Sequence, residues 1–138
     1  MKKTLSILFF GFIALVACNP NEITATLASI LSTGSGTWRV AYAKFGDEEA
    51  PRGMYDRFSI QFKNNGTYIA INPDGSVIFT SSLSGSWKES SNNTIIFDGS
   101  ILVRELKNLR TSNKLVFEWE VNLPGKVSTT YRVELIKA

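Results

Sequence analysis

Few residues in this chain are of a type that performs chemistry near neutral pH. The sequence has no His and a single Cys, Cys18. It therefore offers no imidazole to activate a Ser or Cys nucleophile and no His or multi-Cys ligand set for a transition metal. Carboxylates remain. Glycoside cleavage needs two opposed carboxyl groups, and the candidates are Asp47-Glu48-Glu49 and the pair Glu118 and Glu120. The pair flanks Trp119, so on a strand both carboxylates lie on the face opposite Leu115, Phe117, Trp119 and Val121. With that apolar face in the core, they face solvent. Asp47 to Glu49 read as a charged loop tip. Asn72-Pro73-Asp74-Gly75 reads as a turn, since the remaining oxygen ligands of a calcium loop are missing. The expectation is a chain without enzyme activity, cofactor or metal.

The single thiol has another context. Met1-Lys2-Lys3 is a short basic stretch, and the run from Leu5 to Ala17 carries no charge. Such a run has the length of a signal-peptide core and falls short of the roughly 20 apolar residues that cross a bilayer. It ends in Leu15-Val16-Ala17-Cys18, which resembles a bacterial lipobox. The small Ala17 lets a peptidase approach the backbone, and the Cys18 thiol accepts a diacylglyceryl group. Lipidation also explains a lone Cys in an exported domain. The expected organisation is a lipoprotein signal peptide over 1–17, lipidated Cys18 with a tether to residue 22, and one domain over 23–138. Only about four residues would then separate Cys18 from the first apolar helical position, a reach of roughly 14 Å, so the domain should stay close to the membrane.

Removing residues 1–17 leaves 121 of 138 residues, and the formal charge falls from +3 to +1 because Lys2 and Lys3 leave with the signal. No basic stripe remains in sequence, which argues against nucleic acid as a partner. With no disulfide available, a hydrophobic core must supply the stability, and the chain is long enough to bury one.

The elements follow from periodicity. Ile23, Leu27, Ile30 and Leu31 recur at i, i+4, i+7 and i+8, one apolar face of a short helix. Asn21 is placed to cap it and Gly34 to end it. From Thr37 the period becomes two. Strands are expected at Trp38 to Phe45, around Phe58, Ile60 and Phe62, and at Thr67 to Ile71, Ser76 to Thr80 and Gly85 to Glu89. Others follow at Thr94 to Phe97, Ile101 to Leu106 and Leu115 to Val121, with a last one carrying Tyr131, Val133 and Leu135 on one face. Asn65-Gly66, Asp98-Gly99 and Pro124-Gly125 mark turns. Short connections force antiparallel pairing of neighbours. The expected fold is all-β, an antiparallel up-and-down meander barrel of about eight strands behind a short N-terminal helix. The alternative is a two-sheet β-sandwich, for which only 46–53 and 107–113 offer long connections.

Gly36-Thr37-Trp38-Arg39 after a short helix resembles the opening Gly-X-Trp of lipocalins. Asn65-Gly66-Thr67-Tyr68 and a second Gly-X-Trp at Gly85-Ser86-Trp87 are similar to the lipocalin-like domains of Bacteroidetes-type lipoproteins. The Thr-Asp-Tyr motif and disulfide of many animal lipocalins are absent. The resemblance implies that Trp38 lies at the barrel floor with Arg132 packed across it. It implies an outer-membrane lipoprotein, and the residues after Cys18 favour the periplasmic face. Asn19 is not the Asp that retains lipoproteins at the inner membrane, and no acidic cluster for surface export follows. Two non-catalytic roles stay open. One is binding of a small hydrophobic ligand in a cavity lined by Phe58, Ile60, Phe62, Phe79, Phe117, Trp119 and Tyr131. The other is a filled barrel serving as a structural or interaction module for an envelope protein.

Overall fold

The computed structural model describes residues 25–71, 78–91 and 93–138. The signal segment, Cys18, Asn21, Ile23 and the turn at 72–75 lie outside the described residues.

The described residues form nine strands, most of them alternating in burial: β1 Thr37–Phe45, β2 Glu48–Glu49, β3 Ser59–Phe62, β4 Thr67–Ile71, β5 Ser84–Glu89, β6 Thr94–Phe97, β7 Ile101–Glu105, β8 Lys114–Val121 and β9 Thr129–Lys137. From β3 onward each pairs antiparallel with the next, β1 pairs with β3, and β1 pairs with β9 to close the ring. The result is an eight-stranded antiparallel meander barrel, with β2 folded back on the end of β1 at Lys44↔Glu49 and Phe45↔Glu48. Closure leaves no sandwich edge to protect.

The turns are local chemistry. Gly66 takes φ 79, and the Asn65 side-chain oxygen accepts hydrogen bonds from the Thr67 amide at 3.1 Å and hydroxyl at 2.7 Å. Asp98 (φ 49) and Gly99 (φ 76) both take the left-handed region that Asp and Gly tolerate best.

The expected strand at 76–80 is not seen over its described residues. Its described part, 78–80, is a tight turn in which Thr80 N–H donates to the Ile78 carbonyl at 2.8 Å and Phe79 has φ 66. Ile78, Phe79 and Thr80 are all buried. With no outward face, this segment cannot alternate and tucks into the barrel instead. Conversely, the segment expected as a plain loop at 46–53 contributes β2.

The helix α1, Leu27–Ser32, is shorter than its periodicity suggested and packs on β3 and β5. Thr26 caps it, not Asn21, its hydroxyl accepting the Ser29 amide at 3.1 Å. A tertiary contact sets the start: the Glu89 carboxylate on β5 accepts the amides of Leu27 at 3.1 Å and Ala28 at 2.8 Å. A negative group there satisfies unpaired donors and the positive end of the helix dipole. Gly34 follows the helix at φ 72, as expected of a terminating residue. Leu27 and Leu31 are buried against the barrel floor.

Candidate functional site

Trp38 is buried at the floor, and its indole N–H donates to the Leu31 carbonyl at 2.9 Å, tying α1 to the barrel. The residue over its ring is Lys137, with Nζ 5.8 Å from the centroid, and not Arg132. Register explains the correction. Trp38 pairs with Lys137, whereas Arg132 pairs with Lys44 far along β1. Arg132 also has the opposite parity to the buried Val133 and Leu135. Its guanidinium lies 3.4 Å from Glu134, and its Nε is buried without a hydrogen-bond partner among the described residues. The two Gly-X-Trp segments differ in cause. A Cβ on Gly36, at φ 62, would collide with the Phe62 carbonyl. On Gly85, at an ordinary φ, it would collide with the Asp98 carboxylate and the Tyr68 ring. The Trp87 indole likewise donates to a backbone carbonyl, that of Thr67 at 3.0 Å.

The seven expected lining residues do converge on the interior, but they fill it. Phe58, Ile60, Phe62, Phe79, Phe117 and Trp119 are buried and Tyr131 is half-buried. Phe79 is the hub. Its ring stacks on Phe97 at 4.9 Å and 15°, and meets Trp119 at 5.1 Å and Phe117 edge-on at 5.7 Å. Tyr131 extends the cluster from Trp119 at 5.6 Å to Phe45 at 4.8 Å. Phe62 joins through Phe97 at 6.0 Å, and Phe58 through Tyr55 at 5.7 Å. Phe97, Tyr55 and Phe45 were not among the expected residues. Phe97 was detectable, since it alternates with the buried Ile95 just before Asp98-Gly99.

A polar strap holds the Phe79 segment. The Tyr68 hydroxyl donates to Asp98 at 2.9 Å and shares a 2.8 Å hydrogen bond with the buried Thr80 hydroxyl. Asp98 also accepts the Ser86 amide at 2.9 Å. Burial foremost, and the Asp98 carboxylate beside it, push the Tyr68 phenol above its ordinary pKa. Burial does the same to Tyr55. Near the floor, Glu105 is buried and Arg110 grips both its oxygens through Nε and Nη2. That hydrogen bonding raises the Arg110 pKa.

Two depressions, both open to solvent, mark the surface. One of about 280 Å³ lies between β1 and the 49–56 segment, with Tyr55 and Arg52 among its walls. The other, about 690 Å³, runs between β7 and β8. These strands pair only at Arg104↔Glu118 and Glu105↔Phe117 and then part toward the far end. Ile101 and Leu102 stand on one side of the cleft, Trp119 and Glu120 on the other. Of the candidate carboxylates, Asp47, Glu48, Glu49 and Glu120 are exposed, and Glu118 lies 3.7 Å from Arg104 in an ion pair.

Comparison of the chain with family models, with curated proteins and with solved structures finds no match in any of the three.

Proposed function

We propose that this chain is a lipid-anchored, non-catalytic module of the bacterial envelope, built on a lipocalin-like barrel and used to present a rigid surface to a protein partner. The observation that carries this reading is the filled interior. Phe79, supplied by a connecting segment and not by a strand, occupies the centre that a ligand would need. Barrels of about eight strands either fill with side chains or hold one small ligand, and here the chain's own rings take the space. The binding surface is then external. The rim bearing 46–53 and the β7–β8 cleft are its richest features, with Met54 and Leu102 exposed. The anchor is Cys18, and the outer membrane, periplasmic face, is the proposed location.

Photo-crosslinkers placed at Met54 and Leu102 in cells test this. The reading expects one discrete adduct from these positions and none from Lys63 at the other end. Adducts of equal pattern from all three sites would refute it.

A second reading, an apolar-ligand carrier, draws on the cleft, because it reaches Trp119 directly beside Phe79. A ligand entering there would have to displace the Phe79 ring.

A further inference from the structure

The small net charge conceals a polar distribution of charge around the barrel. Antiparallel order places the starts of β1, β4, β6 and β8 and the ends of β3, β5, β7 and β9 at one end, the end that α1 covers. Five exposed cations stand at or near that end: Arg39 on β1, Lys63 in the β3–β4 hairpin, Lys88 on β5, Lys107 after β7 and Lys137 on β9. They are spread around the ring, and none makes a salt bridge among the described residues. Among the described residues, the acidic groups there are engaged, Glu89 by the amides of α1 and Glu105 by Arg110. The opposite rim holds exposed Asp47, Glu48, Glu49, Asp56 and Asp98 beside Arg52, Arg57 and Lys126.

We propose that the helix-covered end is a docking face for an anionic phospholipid surface, with these five cations set against headgroup phosphates and the acidic rim turned away. Charge complementarity gives the class of partner. The path of the chain favours a membrane over other polyanions. The first described residues, from Ala25, lie at this same end, because Leu27 and Ala28 are bonded to Glu89 there. Cys18 precedes Leu27 by nine positions, at most about 30 Å of extended chain. This choice of partner rests on Cys18 carrying the lipid, whereas the ring of cations stands without it.

The test reconstitutes the full-length processed lipoprotein in two kinds of vesicle, phosphatidylcholine alone and phosphatidylcholine with phosphatidylglycerol. Exposed amines are acylated with a water-soluble reagent and rates are read by peptide mass spectrometry. Lys63, Lys88 and Lys107 should react more slowly than Lys126 only in the anionic vesicles. The protection should vanish at 1 M salt, where the screening length is about 3 Å. Combining Lys63→Gln, Lys88→Gln and Lys107→Gln should expose Lys137, each lost charge lowering the ratio of docked to undocked protein roughly fivefold. Equal rates at Lys126 and the floor lysines in anionic vesicles would overturn the proposal, as would protection that is the same in neutral vesicles. Stronger protection by a soluble polyanion at matched charge would overturn the choice of lipid. Protein that washes off the vesicles in 1 M salt would refute the lipid anchor alone, since labelling before the wash still reads the charged face.

Discussion

Phe79 holds a φ of 66 while its ring stacks on Phe97. A non-glycine residue in the left-handed region costs about 1 kcal/mol or more, and the aromatic contacts outweigh that cost. Deleting such a ring costs about 3–5 kcal/mol. Phe79→Gly should nevertheless be about 1 kcal/mol less destabilising than Phe79→Ala, because glycine adopts this φ freely; urea melts of the two variants measure the difference. The buried Glu105–Arg110 pair is the second sensitive point. Arg110→Met should cost about 3–5 kcal/mol by stranding the Glu105 carboxylate, and adding Glu105→Leu should recover most of it. Tyr68 and Tyr55 have raised pKa values, so the folded state holds their protons more tightly than the unfolded state does. Their contribution is complete below the ordinary phenol value of about 10 and is lost as pH rises above it. The urea midpoint should fall in that window, and less steeply in Tyr68→Phe, read alongside a tyrosinate absorbance titration. Parity made part of this scale legible. Tyr131, Val133 and Leu135 sharing a face already excludes Arg132 from the floor, and it leaves Lys137 as the residue aligned with them.

At the scale of elements, most of the strands could be read from alternation. The hairpins at Asn65-Gly66 and Asp98-Gly99 could be read from residues that accept positive φ. Two segments could not. Residues 78–80 are apolar like a strand, but all three side chains are buried, a pattern only the surrounding barrel can impose. The fold-back at Glu48–Glu49 carries two exposed acids and no periodicity. The start of α1 was equally hidden, since the group that sets it, Glu89, lies 62 positions from Leu27. Glu89→Gln removes the charge at the helix start and leaves one acceptor oxygen for the two amides of Leu27 and Ala28, so it should cost about 0.5–1.5 kcal/mol. Trp38→Phe should cost more, about 1–3 kcal/mol, because the Leu31 carbonyl loses its buried donor. Thermal melts rank the two, and hydrogen exchange at the α1 amides should rise in both before that of β8 and β9.

At the scale of the whole molecule, eight strands closed by β1 and β9 make a rigid cylinder with two unlike ends. The closed meander was legible, because short turns allow little else. The ring of cations was not. Arg39, Lys63, Lys88, Lys107 and Lys137 lie 19 to 30 positions apart, so no stretch of sequence reads as basic until the meander brings them to one end. Whether the interior could be empty was also beyond the sequence, because the same aromatic residues serve as cavity walls or as filling. The core now shows them as filling, with Phe79 at the hub, and the proposed external role depends on that. The direct measurement is titration of the unmodified domain fold, as the full lipoprotein in detergent micelles, with a fluorescent fatty acid while Trp emission is followed. A filled barrel predicts no saturable quenching beyond what micelles alone give, in the native chain and in Leu102→Glu alike. Saturable one-to-one quenching, abolished by Leu102→Glu at the mouth of the β7–β8 cleft, would contradict it.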